Sequence, residues 1–198
     1  MADPHDIDSE DPLVLFDAWL AQAQETEPND PNAAALATAT VRGAPSVRMV
    51  LVKQIAALRF CVFTNAESRK GQELTQNPRA ALCFHWKTLR RQVRVEGKIS
   101  ELDAGAVDAY FHSRSRASQI GAAVSDQSRI LPSRQALEER AQNFAKSNPG
   151  DISRPPYWRG FQIIPERIEF WIDGANRLHD RFLFTRDGDR WQRCRLYP

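Results

Sequence analysis

Across residues 91–100, apolar Val93, Val95 and Ile99 alternate with Gln92, Arg94, Glu96 and Lys98, the period of a strand with one buried face. Four other short apolar runs, 33–41, 46–53, 58–64 and 80–86, have strand length, and Arg42-Gly43-Ala44-Pro45 joins the first two as a hairpin. After a proline-rich connector at 153–156, strand patterning returns over 158–164, 167–172, 181–185 and 190–196, with Gly174 and Asp187-Gly188 as turns. Helical spacing is confined to fewer segments. Asp11-Pro12 opens an amphipathic helix with Leu13, Phe16 and Leu20, because Pro at the first helical position loses no hydrogen bond. Residues 68–76 read as a helix that stops at Asn77-Pro78, and 103–112 and 133–146 as two more, the last with a Leu137, Ala141, Phe144 stripe. The expectation is a mainly β protein with helices packed on its sheet (α+β), a mostly antiparallel barrel.

A length of 198 residues suits one hydrophobic core, so residues 11–198 are read as a single domain behind a flexible acidic tail at 1–10. No apolar run approaches the roughly 20 residues that span a bilayer, and the acidic start lacks the order of a secretory signal; a cytoplasmic home is expected. Cys61, Cys83 and Cys194 lie in apolar or mixed runs without C-x-x-C spacing and read as buried free thiols. Neither they nor the four histidines have metal-ligand spacing, and no metal site is expected. Nine acids and no Lys or Arg precede Arg42, leaving 27 bases against 16 acids in the rest. Such an excess serves nucleic acid or the anionic groups of small ligands.

Four constellations carry candidate chemistry. Arg48 and Lys53 end one strand on opposite faces, serving two anions or simply snorkelling to solvent. Thr64 to Lys70 is a strand-to-helix junction where free N–H groups, Arg69 and Lys70 favour a phosphate, although a solvated basic helix start has the same pattern. Tyr110, Arg114 and Ser118 recur every four residues and, on a continuous helix, share a face suited to a phosphate monoester or to plain solvent. Arg177, His179 and Arg181 cluster at a turn after Trp171; His179 has the acid–base range of a catalyst, and Arg177 can stabilise an anion.

In content and order, R-M-V-L-V-K, F-T-N-x-x-S-R-K, R-Q-V-R-V-E-G, Y-F-H-S-R-x-R-x-S-Q-I-G, S-x-Q-S and the late F-W and R-L-H-D-R resemble the pyridoxamine 5′-phosphate oxidase family from about Asp11 to Pro198. The resemblance implies a split-barrel FMN-binding fold and a homodimer with FMN at the subunit interface. It also implies transfer of hydride from C4′ of pyridoxamine or pyridoxine 5′-phosphate to the flavin, with dioxygen as final acceptor and hydrogen peroxide as product. It assigns FMN contacts to Arg48, Met49, Val50, Leu51, Val52, Lys53, Phe63, Thr64, Arg69, Lys70, Gln92, Gln127, Ser128, Trp171 and Arg181. Substrate contacts fall on Lys53, Tyr110, Arg114, Ser118, Arg177 and His179, with Arg177 and His179 as the catalytic pair. Two departures stand out: Phe63 sits where tyrosine is common, and the basic Arg-Arg-x-Tyr segment that covers substrate in the family has no counterpart in this sequence. A flavin- or pyridoxal-phosphate-binding protein of the same fold without strong oxidase activity is the alternative, and a nucleic-acid module would need aromatic platforms or a recognition helix that this chain lacks.

Overall fold

The computed structural model describes Ile7 and residues 9–198. Helix α1 (Pro12–Thr26) begins where Asp11 accepts a hydrogen bond from the Leu13 N–H at 2.8 Å, with Pro12 in the first turn. Its Leu15, Phe16, Trp19, Leu20 and Ala23 are buried. Phe16 meets Phe60 and Phe84 edge-on at ring separations of 4.8 and 5.1 Å, and Trp19 meets Phe170 at 5.0 Å, so α1 fills the concave face of the sheet. Truncating Phe16 to alanine costs about 3–5 kcal/mol at such a site. The tail expected over 1–10 falls mostly outside the described residues. Ile7 itself is buried against this core, and its carbonyl accepts from Arg193 Nη1 at 2.7 Å.

The strands are β1 (Ala33–Ala39), β2 (Pro45–Leu51), β3 (Lys53–Ile55), β4 (Leu58–Asn65), β5 (Arg79–Trp86), β6 (Arg91–Glu101), β7 (Trp158–Ile172), β8 (Asp180–Asp187) and β9 (Arg190–Arg195). They form one sheet in the order β2-β1-β5-β6-β7-β4-β3, with β8 on β7 and β9 on β8, and every pairing is antiparallel. The mostly antiparallel α+β architecture expected from the sequence is therefore present. The long β7 organises it: its first residues pair with β4, its last with β8, and β6 runs along its other edge throughout.

Four expectations need correction. The strands read as 158–164 and 167–172 are one, because Pro165 sits at a bulge where the register on β6 jumps from Arg167–Glu96 to Pro165–Gly97 and its missing N–H costs no ladder bond. Opposite it, a Cβ on Gly97 would lie 1.9 Å from the Ile164 carbonyl oxygen, so only glycine fits. The run 46–53 is broken at Val52, which turns into the core and separates β2 from β3. Only some helices pack on the sheet: α3 (Ala104–Ser113) lies on β7 through Val107 and Phe111, whereas α5 (Arg134–Ser147) packs on α4 (Arg116–Val124) with its Leu137, Ala141, Phe144 stripe half-buried. The remaining helix is α2 (Arg69–Gln76), between β4 and β5. All three cysteines are free, but only Cys61 is buried; Cys83 is half-buried and Cys194 lies exposed on the edge strand β9. Among the described residues no helix is long and apolar enough to cross a membrane.

Candidate active site

The edge formed by β2 and β3, the end of β4 and the α3–α4 junction enclose a cavity of about 470 Å³. Met49, Val50, Leu51 and Lys53 line one side, Phe63, Thr64 and Lys70 the floor, and Tyr110, Arg114, Ser118 and Gln127 the other side. The Phe63 ring lies 4.1 Å from Tyr110 and stacks on Trp158 at 5.2 Å, while the Arg114 guanidinium sits over Trp158 at 5.0 Å. Gly160 makes this wall possible, since a Cβ there would meet Leu102 and Phe63 at 2.8 Å. A second hollow of about 340 Å³ shares Phe63, Arg114 and Gln127 with the cavity and continues to Asn65 and Gly121. A separate hollow of about 390 Å³ between Gln72, Tyr157 and Arg159 holds none of the expected residues.

Tyr110, Arg114 and Ser118 line the cavity without the continuous helix on which their four-residue spacing would share one face. Helix α3 stops at Ser113, and Arg114 takes an extended conformation (φ −77°, ψ 153°). Ser115 then caps α4 by accepting from the Ser118 N–H at 3.3 Å, because a serine hydroxyl competes for backbone donors better at a cap than inside a helix. The break turns the guanidinium inward, where Arg114 Nη1 is buried with no hydrogen-bond partner. Burial pushes Arg114 below its ordinary pKa against the pull of Tyr110, and burial likewise raises Tyr110. Lys70 is lowered by burial and then by the charge of Arg48; its ammonium donates to Gln127 Oε1 at 2.9 Å and Thr64 Oγ1 at 3.2 Å. The cavity is thus rich in cations that have shed water without gaining a carboxylate.

Arg48 and Arg69 meet elsewhere, on a residue that sequence reasoning missed. Glu73 of α2 is only 4% exposed and accepts from Thr38, Ser46 and, at 3.0 Å, Arg69 Nε. Arg48 lies 3.5 Å from the same carboxylate and donates to Thr38 Oγ1 at 2.6 Å and the Leu36 carbonyl at 3.1 Å. Burial works against ionisation of Glu73, but the hydrogen bonds from Ser46, Thr38 and Arg69 outweigh it and hold the carboxyl at about 2. The Arg69–Glu73 spacing of four was a legible signal; the contributions of β1 and β2 were not. Beneath them, Gly71 lets α2 close on the end of β4, for a Cβ would meet Ala66 and Asn65 backbone atoms at 2.5 Å.

A third set occupies the far end of β7. Gln92, Trp171 and Arg181 stand side by side across β6, β7 and β8. Arg181 clasps the buried Glu169 through Nε and Nη2 at 2.8 and 3.1 Å, and Arg94 joins the same carboxylate. The His179 ring lies 4.6 Å from Trp171, and Arg177 is in the left-handed region (φ 64°). Phe63 pairs with Gly160, eleven residues before Trp171 on β7, so about 35 Å of strand separates this set from the cavity. Two further expected residues lie off the cavity: Val52 is in the core with its N–H and carbonyl bonded to Asn32, and Ser128 (φ 71°) lines a neighbouring hollow beside Ile130.

The family model described as pyridoxamine 5′-phosphate oxidase matches residues 20–147, and the pyridoxine 5′-phosphate oxidase C-terminal dimerisation region matches residues 158–198. The chain belongs to the pyridoxamine 5′-phosphate oxidase family. Relatives named pyridoxine/pyridoxamine 5′-phosphate oxidase include those of Gluconobacter oxydans, 54% identical over 95% of this chain and 94% of that protein, and Rhodospirillum rubrum, 53% identical over 97% and 98%. Among solved structures, PhzG from Burkholderia lata in complex with tetrahydrophenazine-1-carboxylic acid superposes with a TM-score of 0.92 at 31% identity, covering 100% of this chain and 98% of that one. A pyridoxamine 5′-phosphate oxidase-related, FMN binding protein from Nostoc punctiforme shares the fold, with a TM-score of 0.76 at 18% identity over 96% of this chain and all of that one. Within the family architecture, the Trp171, Arg177, His179 and Arg181 set falls in the dimerisation region.

Proposed function

We propose that this family member oxidises pyridoxamine and pyridoxine 5′-phosphate to pyridoxal 5′-phosphate with FMN as cofactor. The observation that carries this reading is the buried, unpartnered Arg114 Nη1, in a cavity that also holds Lys53 and Lys70. Charged donors removed from water require an anion, and FMN and substrate each bring a phosphate. Identity above 50% with relatives carrying the oxidase name supports the same chemistry.

In this reading Lys70 and Arg69, with Arg48 behind them, hold the FMN phosphate at the start of α2, and Phe63, Thr64, Gln127 and the Met49, Val50, Leu51 and Lys53 edge flank the flavin. Lys53, Tyr110, Arg114 and Ser118 bind the substrate phosphate. Gln92, Trp171 and Arg181, and the substrate-facing Arg177 and His179, come from a second copy of the chain. Their separation along β7 supports this, as does the outward row Val47, Met49 and Leu51, each about half exposed or more at the cavity edge. Bound FMN supplies the two-electron acceptor for the C4′ hydride, and dioxygen restores it with release of hydrogen peroxide. The protein fixes the phosphate end with Arg114, orients C4′ with Arg177 and His179, and keeps water from the ring with its aromatic wall. Free thiols accord with a reducing, cytoplasmic setting.

Anaerobic mixing of FMN-loaded protein with pyridoxamine 5′-phosphate tests the reading. The visible flavin band is expected to bleach, then return on admitting air together with pyridoxal 5′-phosphate and peroxide. Bound FMN that stays oxidised would reduce the chain to a flavin-binding protein.

A further inference from the structure

Side chains along β7 alternate between two faces: Ile168 and Phe170 are fully buried in the core, so Glu169 points to the opposite face, where it is nonetheless only 8% exposed. A carboxylate so placed needs donors, and it takes them unequally. Arg181 of β8 is its diagonal neighbour, since Arg181 stands opposite Trp171 and Leu183 opposite Glu169. It gives Glu169 a side-on pair, Nε to Oε1 at 2.8 Å and Nη2 to Oε2 at 3.1 Å. Arg94 of β6, directly opposite Glu169, adds a bond from Nη2 to Oε1 alone, and its own Nε is buried with no hydrogen-bond partner. The carboxylate is therefore oriented on Arg181, with Arg94 as a second counter-charge. Burial works against ionised Glu169; the Arg181 hydrogen bond and the charges of both arginines overcome it and hold the carboxyl below its ordinary pKa.

Arg181 is held at further points. Its carbonyl accepts from the Leu196 N–H at 2.9 Å, and its Nη1 donates to the Tyr197 carbonyl at 2.8 Å. A guanidinium has five N–H groups, and three are thereby spent: the one on Nε, one on Nη2 and one on Nη1. One N–H on each terminal nitrogen has no partner among the described residues. A loose arginine loses rotamer freedom when it engages a ligand, whereas one already fixed does not. We infer that Glu169 is a positioning residue for the cofactor, locking the Arg181 guanidinium so that its two remaining N–H groups are presented to FMN bound across the dimer. Glu169 acts through Arg181 and needs no contact of its own with FMN. The inference rests on the reading that Arg181 faces FMN, in one row with Trp171 and Gln92 across β8, β7 and β6.

A double-mutant cycle on FMN affinity tests it, with dissociation constants read from the recovery of flavin fluorescence as loaded protein is diluted. Arg181→Ala should weaken FMN binding about 10- to 100-fold, and Glu169→Gln, whose amide NH₂ opposes guanidinium donors, at least about fivefold. The double variant should bind within about twofold of Arg181→Ala, because nothing is left for residue 169 to position. Arg94→Leu keeps both Glu169–Arg181 bonds and should stay within about twofold of the wild type. The visible band of bound FMN in Glu169→Gln should shift toward that of Arg181→Ala, which a general loss of stability would not bring about. Losses that multiply in the double variant, or an Arg94→Leu loss equal to that of Glu169→Gln, would overturn the inference. Full FMN affinity in Glu169→Gln beside a loss in Arg181→Ala also overturns it, and leaves the cofactor role of Arg181 standing. Full affinity in Arg181→Ala refutes that role and the inference together. If Glu169→Gln does not fold, Glu169→Asp, which withdraws the carboxylate by one carbon–carbon bond, takes its place in the cycle with the same expected pattern.

Discussion

Glu73→Gln should destabilise the protein in a pH-dependent way. Glu73 is nearly solvent-free, and its carboxyl sits at about 2 against an ordinary 4.5. That depression corresponds to about 3 kcal/mol of folding free energy at pH 7. Because the folded pKa is the lower one, the contribution is complete above about pH 5 and fades as pH falls from 4.5 through 2, to about 1 kcal/mol at pH 3. Glutamine keeps one acceptor oxygen for Thr38 or Ser46 but leaves Arg48, whose side chain is only 20% exposed, without its counter-charge. Thermal melts of both proteins at pH 7 should differ by roughly 6 to 12 °C for a chain of this size. The gap should shrink by more than half at pH 3. A gap that is the same at both pH values would mean that the charge of Glu73 contributes nothing through Arg48 and Arg69, and the buried network would have to be reread as neutral hydrogen bonding.

Arg114→Ala should weaken pyridoxal 5′-phosphate binding about 10- to 100-fold, the worth of a charge-assisted hydrogen bond or two, while FMN affinity measured by flavin fluorescence stays within about twofold. Equal losses would move Arg114 from the substrate to the cofactor. Co-expressing an Arg114→Ala chain with an Arg177→Ala chain should restore roughly a quarter of wild-type activity from two inactive parents, because half of the dimers are mixed and each mixed dimer has one intact site of two. Absence of complementation would place both residues in one chain's site. Gly71→Ala forces a methyl into backbone at 2.5 Å and should cost about 1–3 kcal/mol together with FMN loading, read by urea titration and the flavin-to-protein absorbance ratio.

Much of the fold was legible because its signals are local. The Asp11-Pro12 cap, the stop at Asn77-Pro78 and the alternation of 91–100 each depend on neighbours a few residues away, and each appears where expected. The break at Arg114 was harder, since a helix that continues and a helix recapped by Ser115 share one four-residue spacing. The unity of β7 was hidden by Pro165, which reads as a strand end unless the partner strand is known to bulge there.

The site divides in the same way. Which residues carry charge, aromatic surface and acid–base capacity was set by the sequence, and the family motifs named nearly all of them. Only the tertiary structure decided their grouping. It gave Val52 to the core, joined Arg48 to Arg69 through a buried Glu73, left Arg114 Nη1 without a hydrogen-bond partner, and set Trp171 and the loop that carries His179 at the far end of β7 from Phe63. Residue type and short-range spacing determine local conformation and chemistry, whereas strand register and long-range packing determine which groups lose water and whose charge they face.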